Sequence, residues 1–220
     1  MQVDLREFWP KILEATNETL AMVGFSLLFA TLIGLPLGIA LVVTRPNGLL
    51  HNRPLFNVLN AIVNFFRSIP FIILLVAILP ITRLIVGTTI GTSAAVVPLV
   101  FFAGPYIARL VESSLLEVKP GVVEAAEAMG ATPWQIVFRV LVPEALSSLI
   151  LNLTIATIGL VGASAMAGFV GGGGLGDLAI AYGYQRFETE VMIITVLLLV
   201  VMVQGLQSAG NHLSKGIRRR

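Results

Sequence analysis

The 220-residue sequence has no cysteine, which excludes disulfides, thiol catalysis and cysteine-based metal sites and leaves the redox compartment undetermined. Histidine is nearly as scarce: His51 and His212 are far apart and each close to basic residues, which argues against a histidine metal site within one chain. No Gly-x4-Gly-Lys-Ser/Thr stretch occurs, so the chain does not bind ATP in the P-loop manner, and no serine, histidine and acid constellation suggests hydrolysis. No cofactor is expected on this chain; if ATP powers it, another subunit hydrolyses the ATP. Charged residues make up only 12% of the sequence, and the formal net charge of +2 says less about partners than the positions of the charges do. The first 18 residues mix Asp4, Arg6, Glu7, Lys11, Glu14 and Glu18, which is not the pattern of a signal peptide.

What the sequence has instead is hydrophobic length. With 56% hydrophobic residues and a mean hydropathy of +0.93 it is too apolar for a soluble domain, so the bilayer is its solvent. The expected fold is all-α: a polytopic membrane protein of five transmembrane helices, over about 19–44, 57–80, 93–110, 146–168 and 191–210. The first of these carries no charge from Thr19 to Thr44, about 39 Å of helix at 1.5 Å per residue, enough to cross hydrocarbon of about 30 Å. Within it, Gly34 and Gly38 either mark a close approach of another helix or are incidental glycines of a helix bent at Pro36. Asn57, Asn60, Asn64 and Arg67 recur at spacings of three, four and three, a polar stripe on a helix expected from about Asn57 to Pro80, and Arg83 to Thr92 is expected to re-emerge on the opposite side. The stripe either lines a pathway or cements helices together. Pro98, Gly104 and Pro105 predict a kink in the third span.

Five spans place the termini on opposite sides, and the distribution of basic residues decides which. Assigning 44–56, 112–145 and the 211–220 tail to the cytoplasm puts Arg45, Arg53, Arg67, Arg109, Lys119, Arg139, Lys215, Arg218, Arg219 and Arg220 inside, against Arg6, Lys11, Arg83 and Arg186 outside. The amino terminus is thus expected outside and the carboxyl terminus inside, with the tail acting as a headgroup anchor rather than a nucleic-acid site.

The longest interior polar passage, 112–145, predicts two short helices. Pro120 suits a first helical turn, the run Glu124-Ala125-Ala126-Glu127-Ala128-Met129 favours helix, and Gly130 suits a left-handed end. Thr132 and Gln135 have the spacing of a capping box, Pro133 fits the first helical position, and Pro143 is expected to end the second helix.

Glu124-Ala125-Ala126, Gly130 and the later Leu141-Val-Pro143-Glu-Ala145 resemble the cytoplasmic EAA loop of the membrane subunits of ABC importers. In that family the elbow docks in a groove of a separate ATPase, which implies coupling roles for Glu124, Ala125, Ala126, Met129, Gly130, Ala131 and Thr132. Within the family the resemblance is closest to methionine importers and covers nearly the whole chain, from Thr19 to about Gln207 within an expected transmembrane domain of 16–207, carried by Thr44-Arg-Pro, Phe66-Arg-Ser-Ile-Pro-Phe, Thr82-Arg-Leu-Ile-Val-Gly-Thr, Met129-Gly-Ala-Thr-Pro, Ser164-Ala-Met166 and Tyr182-Gly-Tyr184. It implies a multi-pass subunit of a bacterial inner membrane, a homodimer around a central pathway, two cytoplasmic ATPase subunits, a methionine-binding lipoprotein outside, and no nucleic acid.

Three further stretches bear on transport. Gly171-x-Gly173-x-x-Gly176 satisfies a dinucleotide fingerprint formally, but it follows no strand, and it reads better as a close-packed or re-entrant glycine loop capping the pathway. Ser164 and Met166 lie in a run of small residues from Gly162 to Gly168, so Met166 either projects into a gate between two copies or fills a gap or touches lipid. With Asn60 and Asn64 they are the pathway candidates. The alternative function is an ion-coupled secondary transporter; it is disfavoured because every acid is expected at or beyond a span end and no inverted repeat is visible.

Overall fold

The computed structural model describes residues 5–218; Asp4, Arg219 and Arg220, used above to read the two ends, lie outside that range. The described residues are mostly helical, with no strand among them. Ten α-helices follow one another: α1 Leu5–Thr44, α2 Arg53–Arg67, α3 Phe71–Ala77, α4 Leu79–Val86, α5 Thr92–Leu116, α6 Pro120–Ala128, α7 Pro133–Ile136, α8 Val142–Ala167, α9 Gly174–Leu178 and α10 Thr189–Arg218. Four stretches are long and apolar enough to cross a bilayer: Phe8–Thr44, Thr92–Leu116, Pro133–Val170 and Thr189–Ile217.

The second expected helix is corrected. It does not run unbroken from Asn57 to Pro80, because α2 and α3 meet at 101° across Ser68–Pro70. Pro70 supplies no backbone N–H and pushes Ile69 out of the helical region, so it opens α3 with an extended backbone (φ −55°, ψ 136°) instead of continuing α2. Pro80 then enters α4 near its start, and Gly87 ends α4 at φ +82°. The second expected span is therefore a sharply bent pair of helices, and the count of crossings is five if that pair makes one span.

α1 packs along α5, and glycine sets how closely. A Cβ on Gly34 would lie 2.7 Å from the Gly104 carbonyl oxygen, and one on Gly38 2.6 Å from that of Ala108. Of the two readings of Gly34 and Gly38 the close approach is therefore the one realised. In lipid, where tails are as apolar as leucine, such backbone proximity and its van der Waals contacts are what holds two helices together. The core seam continues through Ala103, Ile107 and Val111 of α5 to Ala156, Leu160 and Ala163 of α8, all buried.

Two further boundaries move. α5 continues past Arg109 to Leu116, so Glu112 lies buried within a long helix rather than beyond its end. Nor does Pro143 end the second short helix. The chain passes from α7 through a π-helical turn, Val137–Leu141, directly into α8. The wide turn absorbs the bond that Pro143 cannot donate back to Arg139, so a residue expected to stop the helix sits in the first turn of a membrane-length one.

Contacts fix the two ends of the bundle. Phe8, Ile12 and Ala15 of α1 pack on Leu175 and Leu178 of α9 and on Val191 at the start of α10. At the opposite end the Ser147 and Ser214 hydroxyls, near the start of α8 and the end of α10, are 2.7 Å apart. The first and last described helices thus begin and finish at opposite ends, with α6 and α7 at the end where α10 finishes.

Candidate coupling elbow and pathway residues

The elbow has the local chemistry that its sequence dictates. Pro120 opens α6, and after Met129 the chain reverses at Gly130 with φ +77°, a left-handed conformation for which glycine has no Cβ to clash. Thr132 then caps α7 reciprocally: its Oγ1 accepts from the Gln135 N–H (3.4 Å) and its own N–H donates to Gln135 Oε1 (2.8 Å). Ala126 is buried and Ala131 half-buried, whereas Glu124, Ala125, Gly130 and Thr132 are exposed and Met129 is 81% exposed. Beside them Trp134 and Phe138, both more than half exposed, stack with ring centroids 6.1 Å apart. That pair was missed in the sequence, although two aromatics four apart on a helical stretch of a polar passage are a legible signal. Glu124 and Glu127 line a recess with Arg45 and Leu49, so the EAA glutamate also faces its own chain's first loop.

The polar stripe divides. Arg109 of α5 donates through Nη2 to Asn60 Oδ1 (2.6 Å) and Asn64 Oδ1 (2.9 Å) and pairs through Nη1 with Glu112, one turn along its own helix. Asn57 and Arg67 stay exposed with no side-chain partner among the described residues. Asn60 and Asn64 thus cement α2 to α5. They are the main polar attachment of α2, whose single buried residue is Val63, set against Leu41 and Ala108. Arg109 and Glu112 were not singled out as site residues; their signal was an i, i+3 pair of opposite charge at the end of an apolar run.

Met166 and Ser164 point differently although they are two residues apart. Ser164 is buried and donates to the Val161 carbonyl (2.8 Å), while Met166 is 47% exposed on the open face of α8. Beyond α8 the glycine loop is close-packed. Gly171, Gly173 and Gly174 have positive φ, the Gly174 N–H donates to Glu18 Oε2 (2.7 Å), and the Leu175 N–H donates to Thr19 Oγ1 (2.8 Å). Burial, and secondarily the neighbouring Glu18 carboxylate, pushes the Asp177 carboxyl above its ordinary value. Among the described residues no group of histidine, aspartate and glutamate is arranged to hold a metal ion.

Against known proteins the chain finds close company. It is 52% identical over 209 residues to the probable D-methionine transport system permease protein MetI of Vibrio cholerae, covering 95% of this chain and 93% of that one. It is 58% identical over 151 residues to the D-methionine transport system permease protein MetI of Escherichia coli K12, covering 69% and 70%. Its fold superimposes with a TM-score of 0.94 on a chain of the MetNI methionine ABC transporter solved in an inward-facing form, at 50% identity and over 96% of this chain and 98% of that one. A transporter of the polysaccharide alginate shares the fold alone, at 16% identity and a TM-score of 0.70. The profile of the family described as "Binding-protein-dependent transport system inner membrane component" matches residues 19–219, and this chain belongs to that family.

Proposed function

We propose that the chain is the membrane-spanning subunit of an ATP-driven importer of methionine, working as a homodimer with two separate ATPase subunits and a methionine-binding lipoprotein. The observation that carries the reading is the likeness to methionine permeases at about half identity over nearly the whole length. Fold by itself does not carry it, since the same helices serve a polysaccharide transporter. The elbow from Glu124 to Thr132, with Met129 and the Trp134–Phe138 pair standing out from it, is the surface offered to the ATPase. The chain itself neither binds nor hydrolyses ATP, in keeping with its lack of a P-loop. The end carrying the elbow is cytoplasmic and the glycine-loop end is extracytoplasmic, as the charge distribution indicates. No observation favours the ion-coupled alternative.

The test is reconstitution of the chain with its ATPase and lipoprotein in liposomes. The expected outcome is ATP-dependent uptake of labelled methionine in preference to a panel of other amino acids; uptake driven by an ion gradient without ATP overturns the reading.

A further inference from the structure

α8 has one open face, and its chemistry is wrong for lipid. At helical spacing along it lie Ser148, Asn152, Ile155, Gly159, Gly162 and Met166; Ile155 and Met166 are nearly half exposed, and a Cβ added to either glycine would meet nothing within 4 Å. The open face of α10 is different, with Ile193, Val196, Leu197, Val200 and Val201 each about half exposed or more. A hydrocarbon-facing helix presents side chains like those of α10, whereas amides, hydroxyls and bare backbone at membrane depth turn to protein or water. Toward the elbow end the α8 face opens into a cleft of about 850 Å³ between the end of α5 and the start of α8. That is the size of a small-molecule site.

The cleft wall is prepared for a solute carrying both charges. Glu117 Oε2 accepts from the Ser148 hydroxyl (2.7 Å), which fixes the carboxylate while Oε1 has no partner among the described residues. Asn152 donates through Nδ2 to Ser114 Oγ (2.7 Å) and to the Leu110 carbonyl (3.4 Å), and Ser114, fully buried, donates to the same carbonyl (3.0 Å), so the amide nitrogen is engaged while Oδ1 has no partner among the described residues. Lys119 and Glu144 also line the cleft. At 1.5 Å per residue Met166 stands about 21 Å further along α8 than Asn152.

We propose that this cleft is an exit vestibule, a second waypoint beyond Met166 that receives a zwitterionic amino acid before its release. The free oxygen of Glu117 and the Asn152 amide take its ammonium group, and Lys119 takes its carboxylate. The proposal rests on the importer reading for its direction, since the vestibule is an exit only if the elbow end is cytoplasmic.

The native sequence lacks cysteine, so a single introduced thiol reports its own surroundings without background. In the assembled complex in inside-out vesicles, Ser148→Cys is expected to react with a membrane-impermeant cationic thiol reagent, and saturating methionine is expected to slow that reaction several-fold. Val200→Cys, on the α10 face, is expected not to react. Ser148→Cys reacting no faster than Val200→Cys, or at one rate with and without amino acid, overturns the vestibule. As a second measurement, Glu117→Gln keeps volume and hydrogen bonding but removes the charge, and is expected to lower uptake per ATP hydrolysed by about tenfold, the weight of one charge-assisted hydrogen bond. Uptake per ATP at the wild-type level overturns the assignment of Glu117. If the wild-type complex carries another amino acid in place of methionine, protection of Ser148→Cys by that amino acid sustains the vestibule while the substrate assignment fails.

Discussion

Asp177 shows how a single residue sets a pH dependence. Its carboxyl is raised above the ordinary 3.8, first by burial and then by Glu18, so the folded state holds this proton more tightly than the unfolded chain does. The contribution of the group to stability is therefore fully present below the unfolded value and is lost as pH rises through the folded one. Asp177→Asn is expected to raise the apparent melting temperature in detergent at pH 8 and to merge with the wild type near pH 4. Thermal unfolding at the two pH values checks it, and a variant less stable than wild type at pH 8 contradicts it. Met166 is a different case, since its half-exposed side chain contributes little to packing within one copy. An unbranched, polarisable chain seals a gap and changes rotamer cheaply, so Met166→Ala is expected to leave assembly intact while raising solute leak or ATP hydrolysis per molecule taken up. Wild-type uptake and coupling remove Met166 from the gate.

At the scale of elements, the elbow was legible because each of its instructions is local. Proline at the first turn, glycine at the reversal and the Thr132–Gln135 box act over three or four residues, and all three are realised. Gly130 tests the elbow sharply, because a Cβ there would meet no atom within 4 Å and the cost of substitution is purely conformational. Gly130→Val is expected to cost roughly 1–2 kcal/mol or more of the left-handed turn and to impair ATPase binding or coupling with normal membrane insertion, whereas Gly130→Asn, which tolerates that region better, keeps more function. Copurification of the ATPase and uptake measure it; wild-type coupling in Gly130→Val removes the elbow from docking. What sequence reasoning misplaced were outcomes of tertiary context. The hydropathy of 57–80 reports apolar content but not direction, so a 101° bend at Pro70 leaves the same profile as a straight helix. Pro143 carries an ordinary stop signal, and the π turn before it is a way through that no local rule announces. The Asn60–Asn64 stripe was visible as a pattern, but its partner Arg109 lies 49 and 45 residues away and had been counted only for its charge.

The whole molecule, taken as one copy, is incomplete as a conduit. Its helices bury a seam between α1, α5 and α8, yet the side of α8 that carries Gly159, Gly162 and Met166 is exposed, with nothing over it among the described residues. The chain contains no internal duplication to supply a facing half. The simplest closure is a second identical copy related by a two-fold axis, because an isologous contact uses the same surface twice and closes on itself. We propose that in such a dimer the two α8 helices would face each other across the axis, with their bare glycines allowing backbones to approach and the two Met166 side chains meeting where the space narrows. Native mass measurement of the complex extracted with its ATPase is expected to give two identical permease chains and two ATPase chains. Crosslinking through Gly162→Cys, at an open position on that stripe in an otherwise cysteine-free chain, is expected to join the two permeases. One permease per complex, or two different ones, removes the dimer and with it the placement of Met166 on an axis. A dimer that forms without the Gly162→Cys crosslink retains the stoichiometry and moves the interface to another face.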